Sequence, residues 1–141
     1  EKTAEVIELI DGYRWYRTGD KGHLDEDGFL TIVDRYSRFA KIGGEMISLT
    51  TVEEEILDAC NDKDLEIAAT CLPDQRKGEK IVLIATNNLD KNNLKKLLSD
   101  AKVNPLYHPA EVLIVEEIPK LGSGKTDFGA TKKIALVNEQ K

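Results

Sequence analysis

Apolar residues recur along the chain with two different periods, and the switches between them mark out most of the elements. "SLTTVEEEILDA" puts Leu49, Val52 and Ile56 on one helical face, and Thr50-x-x-Glu53 has the form of a capping box, so a helix is predicted there. Leu94, Leu97, Leu98 and Ala101 repeat at i, i+3, i+4 and i+7 after Asp90, which predicts a second amphipathic helix. Residues 66–72 and 80–86 read as strands, separated by "PDQRKGE", whose Pro73 and Gly78 suit a turn. After a turn bracketed by Pro105 and Pro109, "EVLIVEEI" predicts a third strand, and Asp127 is placed to cap a last helix presenting Phe128, Ile134 and Val137. Near the start, residues 15–17 and 29–33 carry strand formers. The "KGHLDEDG" between them ends in Asp-Gly, the chemistry of a tight hairpin turn with positive φ at Gly28.

From about residue 38 the predicted order is helix, strand, strand, helix, strand, helix. That pattern describes an α+β unit, a small three-stranded sheet packed with helices. Residues 1–33 form a β-rich, hairpin-bearing segment with no core of their own. "DRYS", residues 34–37, is a polar join with the character of a hinge. The expected division is therefore 1–33, 34–37 and 38–141, and no internal repeat interrupts it.

The 141 residues suffice for one ordinary domain, or for a small domain with a piece of another. The chain starts at Glu1 and its single methionine is Met46, so a fragment or a processed chain is expected. No apolar run approaches the roughly 20 residues of a membrane span. A formal charge of −6 and a pI near 5.0 argue against a nucleic-acid binder working through bulk electrostatics. Cys60 and Cys71 lack metal-ligand spacing and read as reduced, half-buried thiols rather than a disulfide or redox pair. His23 and His108 are isolated, as surface or loop histidines would be, and no metal site is expected.

"LGSGKT", residues 121–126, looks like the end of a phosphate-binding P-loop. That loop requires a glycine five positions before Gly124, where this chain has Pro119, which supplies no N–H. The parallel strands and metal-binding aspartate that accompany a P-loop would also have to fit into residues 127–141. The P-loop reading fails. A lysine between flexible glycines remains a compact positive charge that a phosphate can approach closely, or simply a solvent-facing lysine at a helix start.

Three stretches in a fixed order decide between those two: "YRTGD" at Tyr16–Asp20, "DRYSRFAKIGGEMIS" at residues 34–48, and "IPKLGSGK" ending at Lys125. With them the whole chain resembles the last third of the adenylate-forming superfamily of acyl-CoA synthetases, peptide-synthetase adenylation domains and luciferase. The resemblance implies the tail of a large N-terminal domain, a hinge, and a small C-terminal lid. It implies that Asp20 accepts hydrogen bonds from the ribose hydroxyls of ATP, and that Arg35 closes over the same nucleotide. Lys125 would be the lid lysine of the first half-reaction, in which a fatty-acid carboxylate attacks the α-phosphate of Mg-ATP, releasing pyrophosphate and leaving an acyl-adenylate. In the second half-reaction the lid would turn about the hinge, so that Gly43, Gly44 and Glu45 line a passage for a phosphopantetheine arm. Lys41 matches a lysine that some members use in that step, although a structural role remains open. Ser37 stands at the hinge position where many relatives have Asp or Lys, and Asp34 replaces a common glycine, which leaves the pivot itself open.

Within the superfamily, "RFAKIGGEMISL" and "LGSGKTDF" most resemble the acyl-acyl-carrier-protein synthetase portion of bifunctional 2-acylglycerophosphoethanolamine acyltransferases, which re-acylate phospholipids. The implied partners are acyl carrier protein or coenzyme A, a fatty acid, a lysophospholipid through the parent enzyme, and the chain's own N-terminal domain. ATP with Mg would be bound mainly by that N-terminal domain. The fragment would be soluble, on the cytoplasmic side and inactive alone, with attachment of its parent to the inner membrane left open. Two alternatives stand beside this: the lid of an acyl-CoA ligase, and a non-catalytic module that docks an acidic carrier protein through Arg35, Arg38 and Lys41 or through Lys132 and Lys133.

Overall fold

The computed structural model describes residues 2–86 and 89–141. They divide into two compact units, Glu1–Ser37 and Arg38–Lys141.

In the first unit a short helix, α1 (Lys2–Val6), leads into β1 (Ile7–Ile10), which pairs antiparallel with β2 (Tyr13–Tyr16). Their turn is Asp11-Gly12, with φ of 52° and 81°, the doubly left-handed pair that matches strand twist in a two-residue hairpin. A second hairpin joins β3 (Asp20–Leu24) to β4 (Leu30–Arg35). Here the Asp25 carboxylate accepts from the N–H groups of Asp27 and Phe29, and Gly28 takes φ +84° as its Asp-Gly context predicts. Residues 15–17 therefore do not form a hairpin with residues 29–33. Each run pairs with a nearer neighbour across its own Asp-Gly turn, where loop closure is cheaper. Asp34 and Arg35 of the expected join are the last residues of β4, and a 3-10 turn covers Tyr36–Arg38. No described residue before Arg38 is buried, in keeping with a segment that lacks its own core.

The second unit opens with a hairpin, β5 (Phe39–Ile42) and β6 (Glu45–Ser48), followed by α2 (Leu49–Cys60), β7 (Ile67–Asp74), β8 (Gly78–Ala85), α3 (Lys91–Asp100), β9 (Glu111–Ile114) and α4 (Phe128–Glu139). The three expected strands are β7, β8 and β9. The β5–β6 hairpin extends their sheet through the pair Ile42↔Gly78. β8 is central: β7 runs antiparallel along one edge, while β9 pairs in parallel with Val82–Ala85 on the other.

Both faces of this sheet are covered, which is why β8 reads as the unbroken apolar run "IVLIA". Ala69, Cys71, Ile81 and Leu83 face Val52 and Ile56 of α2 and Leu94 and Leu98 of α3. The alternate residues Ala68, Leu72, Val82 and Ile84 face Ile118, Ile134 and Ala135, so α4 closes the opposite side. Of the side chains expected on α4, Ile134 is half-buried whereas Phe128 and Val137 are exposed. Thr131 and Ala135 are the residues it buries.

Caps follow the sequence at α3 and α4, where the Asp90 carboxylate accepts from Asn93 N–H and that of Asp127 from Ala130 N–H. At α2 the cap is Ser48, which accepts from Thr51 N–H, and not the Thr50–Glu53 box. Glu53 is engaged elsewhere, as described below. No helix among the described residues is long and apolar enough to cross a membrane.

Candidate functional site

In the first unit Asp20 and Arg35 occupy directly paired positions of β3 and β4. Arg35 Nε lies 3.0 Å from Asp20 Oδ1, and Nη1 donates to the Thr18 carbonyl oxygen at 2.9 Å. Tyr36 N–H bonds the Gly19 carbonyl oxygen at 2.9 Å, while Gly19 itself takes φ +76°. The "TGD" turn is thus fastened to the end of β4 by backbone and side chain together. The Asp34 carboxylate accepts from the Arg35 N–H at 2.7 Å. The result is a carboxylate with an oxygen to spare among the described residues beside an exposed guanidinium, a pair able to take a diol and a phosphate.

In the second unit "LGSGK" is a hairpin loop and not a phosphate cradle. An isolated bridge joins Lys120 to Thr126, Leu121 N–H bonds the Lys125 carbonyl at 2.7 Å, and Gly124 N–H bonds the Leu121 carbonyl at 2.8 Å. Gly124 has φ +83°, the left-handed residue that a hairpin of this length needs. Beneath it Asp127 N–H bonds the Pro119 carbonyl at 2.8 Å, and Lys120 Nζ pairs with Glu66 Oε1 at 2.7 Å. That pairing, together with the wider charge of Glu66, raises the Lys120 pKa from its ordinary value. Lys125 sits exposed on this pinned loop, and its ammonium has no hydrogen-bond or ion-pair partner among the described residues.

Gly43 and Gly44 form the two-residue turn of β5–β6, with φ +58° and +89°. Space around both is open, since a Cβ added to either meets nothing within 4 Å. Gly43 N–H bonds the Lys77 carbonyl at 2.8 Å, tying this turn to the β7–β8 turn. Lys41 lies one strand position before Ile42, with its side chain in solvent and its N–H bonded to the Glu79 carboxylate. Lys41, Gly44, Lys77, Gly78 and Glu79 line one shallow depression. Burial and the Glu79 carboxylate push the Cys71 thiol up, and burial likewise raises Cys60; both cysteines are free. Ser37 ends the first unit. Asp20 and Arg35 are thus brought together, as are Lys41 and the two turn glycines, whereas Lys125 stands on a loop of its own.

In sequence, Arg38 reads as part of a basic surface with Arg35 and Lys41. It is buried, at 5% exposure, which breaks that surface. Nη2 meets Glu53 Oε1 at 2.7 Å, Nη1 donates to the Ala69 carbonyl at 2.7 Å, and the guanidinium lies over the Phe128 ring, 3.6 Å from its centroid. The signal was present: Arg38, immediately before β5, continues the every-second-residue pattern of Ala40 and Ile42, and all three are buried.

No protein-family model matches the chain. It is 36% identical over 134 residues to 2-succinylbenzoate–CoA ligase of Listeria monocytogenes, covering 94% of this chain and 28% of that protein. It is 35% identical to a medium-chain-fatty-acid–CoA ligase of Ectopseudomonas oleovorans, over 83% of this chain and 21% of the relative. ATP-bound MatB from Rhodopseudomonas palustris shares the fold with a TM-score of 0.72 at 22% identity, over 95% of this chain and 26% of that one. The chain therefore spans about a quarter of the length of each of these three proteins, and the homologues and structural neighbours that cover it include AMP-forming acyl- and aryl-CoA ligases.

Proposed function

We propose that the chain is the hinge and C-terminal lid of an AMP-forming acyl-CoA ligase, working with the N-terminal adenylation domain of the same enzyme. The observation that carries this reading is the exposed, unpartnered ammonium of Lys125 on a loop whose base is pinned by the Lys120↔Thr126 bridge. A charge delivered to a phosphate must be free of competing carboxylates and held by something stiffer than its own side chain.

In the adenylation step a carboxylate oxygen bonds to the α-phosphorus of ATP, the bond to the bridging oxygen breaks, and pyrophosphate leaves. Lys125 stabilises the negative charge gathering on the α-phosphate and leaving group. Asp20 receives the ribose hydroxyls and Arg35, steadied by Asp20 and the Thr18 carbonyl, lies along the nucleotide. Magnesium accompanies ATP as a neutralising ion. The described residues contain no cluster of ligands for it, and the steps assigned to this chain run through Lys125, Asp20 and Arg35.

For the thioester step the lid pivots at Ser37, and the open turn of Gly43, Gly44 and Glu45, with Lys41 beside it, borders the path of a phosphopantetheine thiol. The relatives favour coenzyme A as the owner of that thiol. A second acceptor, acyl carrier protein within a bifunctional phospholipid-acylating enzyme, is favoured by "RFAKIGGEMISL" and "LGSGKTDF". Thioester formation by the full-length enzyme with each acceptor separates the two. The shared chemistry is tested by ATP–pyrophosphate exchange. Lys125→Ala is expected to lower exchange on the order of 100-fold or more, and exchange at the unmutated rate would refute the reading.

A further inference from the structure

Among the described residues Arg38 is the one buried side chain with a full charge. Taking a guanidinium out of water costs several kcal/mol unless its donors are met, and here the account is incomplete. Nη1 donates to the Ala69 carbonyl and Nη2 has the Glu53 carboxylate as a close ion-pair partner, but neither Nη2 nor Nε makes a hydrogen bond of good geometry among the described residues. Apolar replacement of a buried ion pair is often neutral or stabilising, so stability alone is a weak reason for this one. Its location supplies a better reason.

Arg38 is the first residue of the second unit. Its partners come from three elements: Glu53 of α2, the carbonyl of Ala69 in β7, and the ring of Phe128, the first residue of α4. Phe128 follows Lys125 by three residues. The intervening positions are not slack: Thr126 is bridged to Lys120, and Asp127 is bonded to Pro119 while its carboxylate caps α4. A displacement of the Phe128 ring is therefore transmitted to Lys125 through a short, hydrogen-bonded arm. Phe128 is 40% exposed, so burial alone does not lock it in place, and the guanidinium 3.6 Å from the ring centroid is a direct restraint on it. A planar cation stacked on an aromatic face restrains the ring's orientation as well as its distance.

We propose that Arg38 is a positioning residue for Lys125, fixing the loop against the sheet by holding the Phe128 ring. The proposal rests on the reading of Lys125 given above, and the tests distinguish the two. In the full-length enzyme Phe128→Leu leaves the Arg38–Glu53 pair intact and removes only the aromatic face. It is expected to lower the maximal rate of ATP–pyrophosphate exchange about tenfold with less than about a twofold change in KM for ATP. Thioester formation from preformed acyl-adenylate, which does not use Lys125, should stay within about twofold. Phe128→Tyr restores exchange. Arg38→Lys, which keeps the charge beside Glu53 but not the plane, lowers exchange in the same selective way. In a Lys125→Ala background Phe128→Leu removes nothing further, because it acts through that lysine.

Unchanged exchange in Phe128→Leu, in an enzyme that Lys125→Ala inactivates, overturns the proposal. So does an equal loss in both half-reactions, or an additive loss in the Lys125→Ala background, either of which marks a general structural role. Full exchange by Lys125→Ala itself overturns the reading of Lys125 and the proposal with it.

Discussion

Arg35 and Asp20 face each other across the β3–β4 pair, Nε to Oδ1 at 3.0 Å, so the two residues expected to hold a nucleotide hold one another without it. The pair is exposed on the arginine side, and such pairs contribute at most about 1 kcal/mol to stability. On the proposed reading its value lies in preorganising the nucleotide site. Arg35→Lys keeps the charge but loses the planar fork that reaches Asp20 and Thr18 together. It is expected to raise KM for ATP on the order of tenfold in the full-length enzyme while moving the melting temperature little. Exchange assays over a range of ATP concentrations, with a thermal melt alongside, check both halves; an unaltered KM would remove the pair from the nucleotide site.

The β5–β6 turn gives a test at the acceptor side. A Cβ on Gly43 or Gly44 meets no atom within 4 Å, so substitution costs only the left-handed backbone. Gly44→Ala, at φ +89°, is expected to destabilise the chain by about 1–2 kcal/mol. Gly43→Asn, at φ +58°, should cost only a few tenths of a kcal/mol, because asparagine tolerates that region. Urea denaturation measures the difference. Kinetically, Gly43→Asn places a side chain in open space beside Lys41 and should slow thioester formation while sparing pyrophosphate exchange.

Lys80 supplies a pH signature. Its ammonium meets Glu111 Oε1 at 2.7 Å and Glu139 Oε1 at 2.8 Å, joining β8 to β9 and to the end of α4. The hydrogen bond it donates to Glu111, then the one to Glu139, holds its pKa well above the ordinary 10.5. A raised lysine stabilises the fold fully below its unfolded value, and that contribution fades as pH climbs from there through the folded value. Lys80→Met is therefore expected to melt below the unmutated chain at pH 7 to 9, with the gap beginning to close above pH 10.5. A gap independent of pH would assign the effect to packing of the aliphatic stem.

Asp127 serves two neighbours at once, since its carboxylate caps α4 and its N–H ties down Pro119 under the Lys125 loop. Asp127→Ala removes the cap and should cost about 1 kcal/mol, whereas Asp127→Asn, an equally good cap, should cost almost nothing. Equal denaturation midpoints for all three proteins would show that α4 does not depend on this cap.

Much of this was written plainly in the chain. α2, α3, β7 and β8 were legible because amphipathic faces and a two-sided apolar strand leave few alternatives. Asp90 and Asp127 announced their helices by capping chemistry. Other features were hidden by specific ambiguities. Asp11-Gly12 and Asp27-Gly28 are equally good hairpin turns, and only both together give the pairings β1–β2 and β3–β4. Glu53 satisfies a capping-box pattern, yet tertiary structure draws it to Arg38 and the Ala69 N–H instead. Arg38 was counted as surface because arginine usually is, although its alternation with Ala40 and Ile42 said otherwise. Lys125 and its glycines were conspicuous in sequence, but the Phe128–Arg38 contact behind them joins residues distant along the chain, which no local pattern encodes.

The parallel pairing of β8 with β9 has a consequence for the nascent protein. β8 can zip onto β7 as soon as Ala85 is made, but its other edge waits for Glu111–Ile114, on the far side of α3. At ribosomal speeds of about 5–20 residues per second, that interval lasts roughly one to five seconds. Throughout it an apolar strand with unpaired backbone groups is open to any foreign strand that arrives first. Mispairing during synthesis is therefore a point of vulnerability built into this strand order.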